Sequence, residues 1–182
     1  MGLFYTGKGD GGESELMKGR KVDKTCVEIE SLGDLDELNS LLGLIRSRVN
    51  DESHKGIIRN IQEDLFTIQA NVAVLMYPET FKVPEFKAEK VKELETIIDE
   101  FEKEVNPEKG FVITGEHEDA AWFDYARAVC RRAERSTLKL NKTRPVKPEI
   151  LAYLNRLSSM LFALARIAAK KLGVSEDHPT YH

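Results

Sequence analysis

The chain is poor in the residues that build metal cages and disulfide frameworks. It has two cysteines in 182 residues, and neither Cys26 nor Cys130 stands in a CxxC or Cys/His arrangement. A zinc site or a disulfide scaffold is therefore not indicated. Cys130 lies on the apolar side of its segment and reads as a small core residue. His54, His117, His178 and His182 are scattered, with no ligand spacing, no helical Glu-x-x-His pair and no Ser/His/Asp grouping. That pattern speaks against general acid–base catalysis and against a protein-bound catalytic metal. No apolar run looks long enough to cross a bilayer and no signal peptide opens the chain. The opening Met1-Gly2-Leu3-Phe4-Tyr5-Thr6 satisfies a loose myristoylation pattern, but no second basic anchor follows it. A cytoplasmic protein without a membrane partner is expected. Positive charge is slightly outnumbered, with 27 lysines and arginines against 31 acids. The net charge of −4 argues against a general nucleic-acid binder, which would carry a basic surface.

What the chain does have is helical periodicity. Hydrophobic residues make up 41% and charged residues 32%, a balance that suits one globular domain of this length. Leu35, Leu38, Leu42, Ile45 and Val49 step at alternating three- and four-residue intervals, as do Ile58, Ile61, Leu65, Ile68, Val72 and Leu75. Val91, Leu94, Ile98, Phe101 and Val105 repeat the pattern, followed by Trp122, Ala126, Val129 and Ala133. A fifth seam runs through Leu151, Leu154, Leu157, Leu161, Leu164, Ala168 and Leu172. Pro78 and Pro84, Pro107 and Gly110, and Pro145 and Pro148 mark the breaks. No β-hairpin signal competes. The expected fold is all-α, a five-helix up-and-down bundle over residues 32–173, with a glycine-rich head (1–31) and a polar, frayed tail (174–182) in one domain.

One segment concentrates charge of one sign. Arg127-Ala-Val-Cys-Arg-Arg-Ala-Glu-Arg135 is arginine-rich, and at roughly 100° per residue Arg127, Arg131, Glu134 and Arg135 share a helical stripe. Arginines four residues apart repel by a few tenths of a kcal/mol, so an anion or carboxylates must offset them. Guanidinium groups grip phosphate in a bidentate way. The segment alone admits two readings: a solvated face neutralised by Glu134 and other acids, or an anion site.

Other motifs sit around it. Gly7-Lys8-Gly9-Asp10-Gly11-Gly12 satisfies GxGxxG, but it lacks the strand, helix and βαβ unit of a dinucleotide fold, and GxxxxGK[ST] is absent. What remains is either a disordered head or a loop whose free N–H groups, Lys8, and the hydroxyls of Thr6 and Ser14 can wrap phosphates. On the first helix, Asp36, Asn39 or Ser40, Gly43 and Ser47 form a small polar face opposite the leucines. Asp36 reads as an arginine partner or as a plain acid favoured by the helix dipole. Asn155, Ser159, Phe162 and Arg166 form a second stripe on the fifth helix, and Phe111 stands at a loop-to-helix junction. Asn155 and Phe162 read equally as an exposed polar residue and a shared aromatic, or as ligand contacts.

Taken together these segments resemble the PduO-type ATP:cob(I)alamin adenosyltransferases. Four blocks carry the resemblance: Tyr5–Gly12, Gly33-Asp-Leu-Asp-Glu-Leu-Asn-Ser40, Arg127–Arg135, and Tyr153-Leu-Asn-Arg-Leu-Ser-Ser-Met-Leu-Phe162. The resemblance implies a five-helix bundle assembled as a homotrimer with active sites between subunits. It implies transfer of the 5′-deoxyadenosyl group of ATP to reduced cobalamin, release of triphosphate, and assistance by Mg²⁺. Carried over by position, Thr6, Gly7, Lys8, Gly9 and Ser14 would surround the triphosphate and Lys24 would add a basic group. Arg131, Arg132, Glu134, Arg135 and Asn155 would bind nucleotide. Arg127 would be held by Asp36 of the adjacent subunit. Phe111 would crowd the lower corrin face and displace its axial base, with Phe162 as a second apolar contact. A reductase and an adenosylcobalamin-dependent client enzyme are the further partners this implies.

The chain departs from the family pattern in places. Lys8 replaces a threonine, Thr114-Gly115-Glu116-His117 stands where a proline and a glycine pair are common, Asp124 replaces a histidine, and Ser159 replaces an aspartate. These changes leave a competing expectation, a non-enzymatic ATP-binding bundle that has lost corrinoid chemistry.

Overall fold

The computed structural model describes residues 4–5, 7–16, 19–77, 82–107, 110–115, 117–175 and 177–181; Thr6 and Glu116 lie outside the described residues. Five helices make up the body: α1 (Val27–Arg48), α2 (Glu52–Val74), α3 (Glu89–Val105), α4 (Glu118–Asn141) and α5 (Pro148–Lys171). α2 to α5 start or stop at local signals. The Asp51 carboxylate caps α2 by accepting from the N–H groups of Ser53 and His54. His117 caps α4, its Nδ1 accepting from Asp119 N–H at 3.1 Å. Asn106, left-handed at φ 50°, ends α3. Pro148 opens α5, where no amide hydrogen is needed.

The seams expected from periodicity form one core. Leu35, Leu38, Leu42, Ile58, Leu65 and Ile68 are fully buried, as are Ala126, Ala133, Leu154, Leu157, Leu161 and Leu164. α4 packs against both α1 and α5, while α2 lies on α1 and α3 on α5. The alanines and Cys130 on α4 keep its inner face thin, so α1 and α5 approach it from two sides. Leu172, expected on the fifth seam, instead follows the last turn of α5 and is exposed.

Three expectations need correction. The head contains a small antiparallel hairpin, β1 (Glu13–Glu15) and β2 (Lys21–Asp23), pairing Ser14 with Val22. Strands of three residues are too short to show alternation in sequence. The head also stops earlier than residue 31, because α1 begins at Val27. Finally, α5 is long and apolar enough by composition to cross a membrane, with a mean hydropathy of 1.3. In the bundle, however, 61% of that window is buried, which is the condition of a central core helix.

Gly43 shows how the polar face of α1 is used. A side chain there would meet Gln62 Nε2 at 3.2 Å, and that amide donates to the Asn39 carbonyl at 3.1 Å. The mid-helix glycine thus admits α2 within the protomer.

Candidate functional site

The arginine-rich segment lies on α4, and its guanidinium groups have different fates. Arg132 reaches across to α1, where it is ion-paired with Glu37 and lies 3.4 Å from Asp34. Arg131 and Arg135 are exposed, and among the described residues neither has an ion-pair partner. Glu134, the acid expected to neutralise the stripe, is engaged elsewhere: Asn155 on α5 donates to it at 2.8 Å. Two adjacent cations on one exposed face, with the nearest carboxylate already oriented by an amide, make a ready anion site.

Arg127 belongs to a different cluster. Its guanidinium lies over the Phe162 ring at 5.5 Å, and that of Arg166 lies over the same ring at 4.9 Å. Arg166 in turn forms an ion pair with Asp124, with only 4% and 7% of the two side chains exposed. A buried charge is tolerated only when it is paired, so Asp124 fixes Arg166 and, through the ring, the position of Arg127. Phe162 also lines an apolar cleft of about 340 Å³ with Ile98, Phe101, Val105, Ala163 and Arg166. Asp36 is exposed on α1, and it makes no ion pair with Arg127 of the same protomer among the described residues.

The head is tied to the body by Arg20, whose Nη1 donates to the Met76 carbonyl at 2.6 Å, and its two candidate lysines are held locally. Gly7 and Gly12 adopt left-handed backbone at φ 69° and 84°, which favours glycine. Lys24 Nζ donates to the Gly9 carbonyl at 2.6 Å, and a side chain at position 9 would press on that ammonium at 2.8 Å. Lys8 pairs with Glu15 at 2.8 Å, and Ser14 sits on β1. The two lysines expected to face phosphate are therefore satisfied within the head. Exposed pairs of this kind contribute about 0–1 kcal/mol, so they exchange readily for a more highly charged anion.

Phe111 is 75% exposed, and its backbone is tied to the tail, since His178 Nδ1 lies 2.8 Å from its carbonyl oxygen. At His178 the tail, expected to be frayed, is thus tied to the body of the chain. Periodicity offered no signal for His178, because it lies in a segment with no repeat. Cys130 is chemically silent, because burial pushes its thiol up to about 12 and no thiolate forms near neutral pH. A larger cleft of about 720 Å³ between α1 and α2, lined by Arg46, Lys55, Arg59 and Phe66 among others, contains none of the candidate residues.

A family profile described as cobalamin adenosyltransferase matches residues 4–168. The chain belongs to the cobalamin adenosyltransferase family. It is 36% identical over 163 residues to the corrinoid adenosyltransferase PduO of Salmonella typhimurium, covering 90% of this chain and 48% of that protein. A corrinoid adenosyltransferase of Bacillus subtilis is 35% identical over 177 residues, covering 95% and 90% of the two chains. Among solved structures, a variant PduO-type ATP:corrinoid adenosyltransferase from Lactobacillus reuteri, complexed with cobalamin and ATP, superposes with a TM-score of 0.91. Its sequence identity is 26%, over 98% of this chain and 97% of that one. The chain spans about half the length of the two PduO relatives from Salmonella typhimurium and Citrobacter freundii, 48% and 51%. The matched residues 4–168 take in α1 to α4 and most of α5, including both helices that carry the arginine face and Asn155.

Proposed function

We propose that this chain transfers the 5′-deoxyadenosyl group of ATP to cob(I)alamin, making adenosylcobalamin and releasing triphosphate. The observation that carries this reading is the exposed pair Arg131 and Arg135 beside the oriented Glu134–Asn155 clasp, in a chain of this family. The cobalt(I) electron pair attacks C5′ of ATP and the Co–C bond forms. The C5′–O bond breaks, and its electron pair leaves on the triphosphate. The protein's task is alignment, with the reacting atoms about 3–3.5 Å apart and in line. Charge on the departing triphosphate is met by Arg131, Arg135 and Arg132, joined by Lys8, Lys24 and the N–H groups of the Gly7–Gly9 loop with Thr6 and Ser14.

Mg²⁺ would be held chiefly by triphosphate oxygens, as this ion prefers, and would neutralise charge there. Among the described residues no group of three or more His, Cys, Asp or Glu side chains forms a cage for it. On the corrin side, Phe111 meets the lower face and excludes the axial base, and Phe162 extends that apolar surface. The assembly is a homotrimer in which Arg127 pairs with the partner subunit's Asp36. The exposure of Asp36 on α1 supports that pairing. The working compartment is the cytoplasm, with a reductase upstream and an adenosylcobalamin-dependent enzyme downstream.

The test is direct. Chemically reduced cobalamin is mixed with ATP, Mg²⁺ and protein, and Co–C bond formation is followed by absorbance. Wild-type protein is expected to form adenosylcobalamin, and Arg131→Ala to abolish turnover with its thermal midpoint unchanged. Normal ATP binding with no Co–C bond would overturn the enzymatic reading in favour of a nucleotide-binding bundle. Wild-type turnover by Arg131→Ala would remove that arginine from the mechanism.

A further inference from the structure

The loop between α3 and α4 is held by the far end of the chain. Residues 110–115 contain no helix or strand and are bounded by Gly110 and Gly115 at φ +146° and +123°, values that other residues adopt only under strain. Among the described residues, the loop's backbone–backbone hydrogen bond runs from Ile113 N–H to the Asp177 carbonyl at 2.8 Å. Next along the tail, His178 Nδ1 lies 2.8 Å from the Phe111 carbonyl oxygen. A carbonyl only accepts, so Nδ1 carries the hydrogen and donates it. The tail therefore holds the backbone on both sides of Val112.

Several details serve this contact. Gly173, left-handed at φ +68°, ends α5, and Val174 N–H bonds back to the Ala169 carbonyl at 3.1 Å. The chain can then turn toward the loop. At Gly110 a Cβ would make only ordinary contact with His178 Nδ1, at 3.6 Å, so it is the positive φ that calls for glycine there. Beneath the tail lies a cleft of about 500 Å³, lined in part by Val105, Pro107, Lys170, Val174 and His178. Among the described residues, the Ile113–Asp177 and His178–Phe111 hydrogen bonds tie the strap to the loop. Because the Phe111 side chain is three-quarters exposed, its own contacts do not fix its direction. Its backbone does, and the tail fixes that backbone.

We propose that residues 177–178 form a strap that positions Phe111 toward the corrinoid, with His178 as its latch. This rests on the corrinoid adenosyltransferase reading above. His178 touches no reacting atom and is a positioning residue. Holding the loop in advance lowers the ordering cost of corrinoid binding and leaves ATP binding untouched.

Three variants test it: His178→Ala, His178→Asn, and a chain ending after Ser175. An asparagine amide offers an N–H donor close to where Nδ1 stands, whereas alanine offers none. His178→Ala and the shortened chain should raise KM for the corrinoid by about ten-fold, the scale of one hydrogen bond, with KM for ATP unchanged. They should also weaken the absorbance change that reports loss of the axial base when cob(II)alamin binds with ATP. His178→Asn should return to within about two-fold of wild type. The strap is overturned if His178→Ala behaves as wild type, if KM for ATP and corrinoid rise together, or if His178→Asn is no better than alanine. A readout independent of activity separates this failure from failure of the functional reading. Hydrogen exchange at the Ile113 amide should be slow in wild type and fast in the shortened chain, whether or not adenosyl transfer occurs. Equal exchange in both would also overturn the strap.

Discussion

Asn155 on α5 donates its Nδ2 hydrogen to the Glu134 carboxylate on α4 at 2.8 Å, while its Oδ1 accepts from Arg156 Nη1 at 3.0 Å. Both polar ends of one amide are thereby oriented on the face where Arg131 and Arg135 stand exposed. Removing the amide leaves Glu134 free to swing onto those arginines and compete with an incoming triphosphate. Asn155→Ala is therefore expected to weaken ATP binding by about ten-fold or more, since charge-assisted bonds are the strong ones. Because both residues lie at the surface, stability should stay within about 0.5 kcal/mol of wild type. Titration calorimetry checks the first and urea unfolding the second. An unchanged ATP affinity would take the clasp out of the nucleotide site.

The ion pair between Asp124 and Arg166 predicts the opposite balance. Both side chains are nearly inaccessible, so truncating the acid takes a paired carboxylate away from a buried guanidinium. Asp124→Ala should cost about 3 kcal/mol or more in unfolding free energy. The double variant Asp124→Leu with Arg166→Met removes both charges and should recover most of that loss. Denaturant midpoints decide it, and a double variant no more stable than Asp124→Ala would mean that the pair is not the source of the loss.

His54 predicts a pH dependence. It is 3% exposed and stands edge-on to Phe101 and Phe123, each ring centroid 6.2 Å away. Burial holds its pKa below the ordinary 6.5; Asp51, Asp119 and Glu104 pull the other way, and Lys171 assists the lowering. The unfolded chain therefore binds this proton more readily than the folded one. Stability from the neutral ring is fully present above pH 6.5 and is lost as pH falls through that value toward the lowered folded pKa. The slope of unfolding free energy between about pH 7.5 and about pH 5.5 should flatten in His54→Leu, which retains an apolar core residue. The nearby Asp51 carboxylate does not blur this window, because its pKa is depressed below the usual carboxylate range by Lys171 and Ser53. An unchanged slope in the variant would assign the effect to other groups.

Much of the body was legible from local pattern. Apolar residues at three- and four-residue spacing must face one side of a helix, so Leu35, Leu65, Leu161 and their seam mates entered the core as expected. Cys130 entered it with them. The hairpin of Glu13–Asp23 was not legible, because three-residue strands carry no periodic signal. Hydropathy alone equally cannot tell a core helix from a membrane span, and only packing distinguished the two for α5.

The candidate site divides along the same line. Helical pitch alone puts Arg127, Arg131 and Arg135 on one stripe. Their separate fates come from packing against α1 and α5. Arg132 was taken up by Glu37 of α1, Arg127 came to rest on Phe162, and Arg131 was left facing solvent. These pairings join residues far apart in the chain, and no local pattern encodes them. The same holds for His178, whose bond to Phe111 closes a separation of 67 residues. Its position follows from where α5 ends and how Gly173 turns the chain, which depends on the packed bundle as a whole.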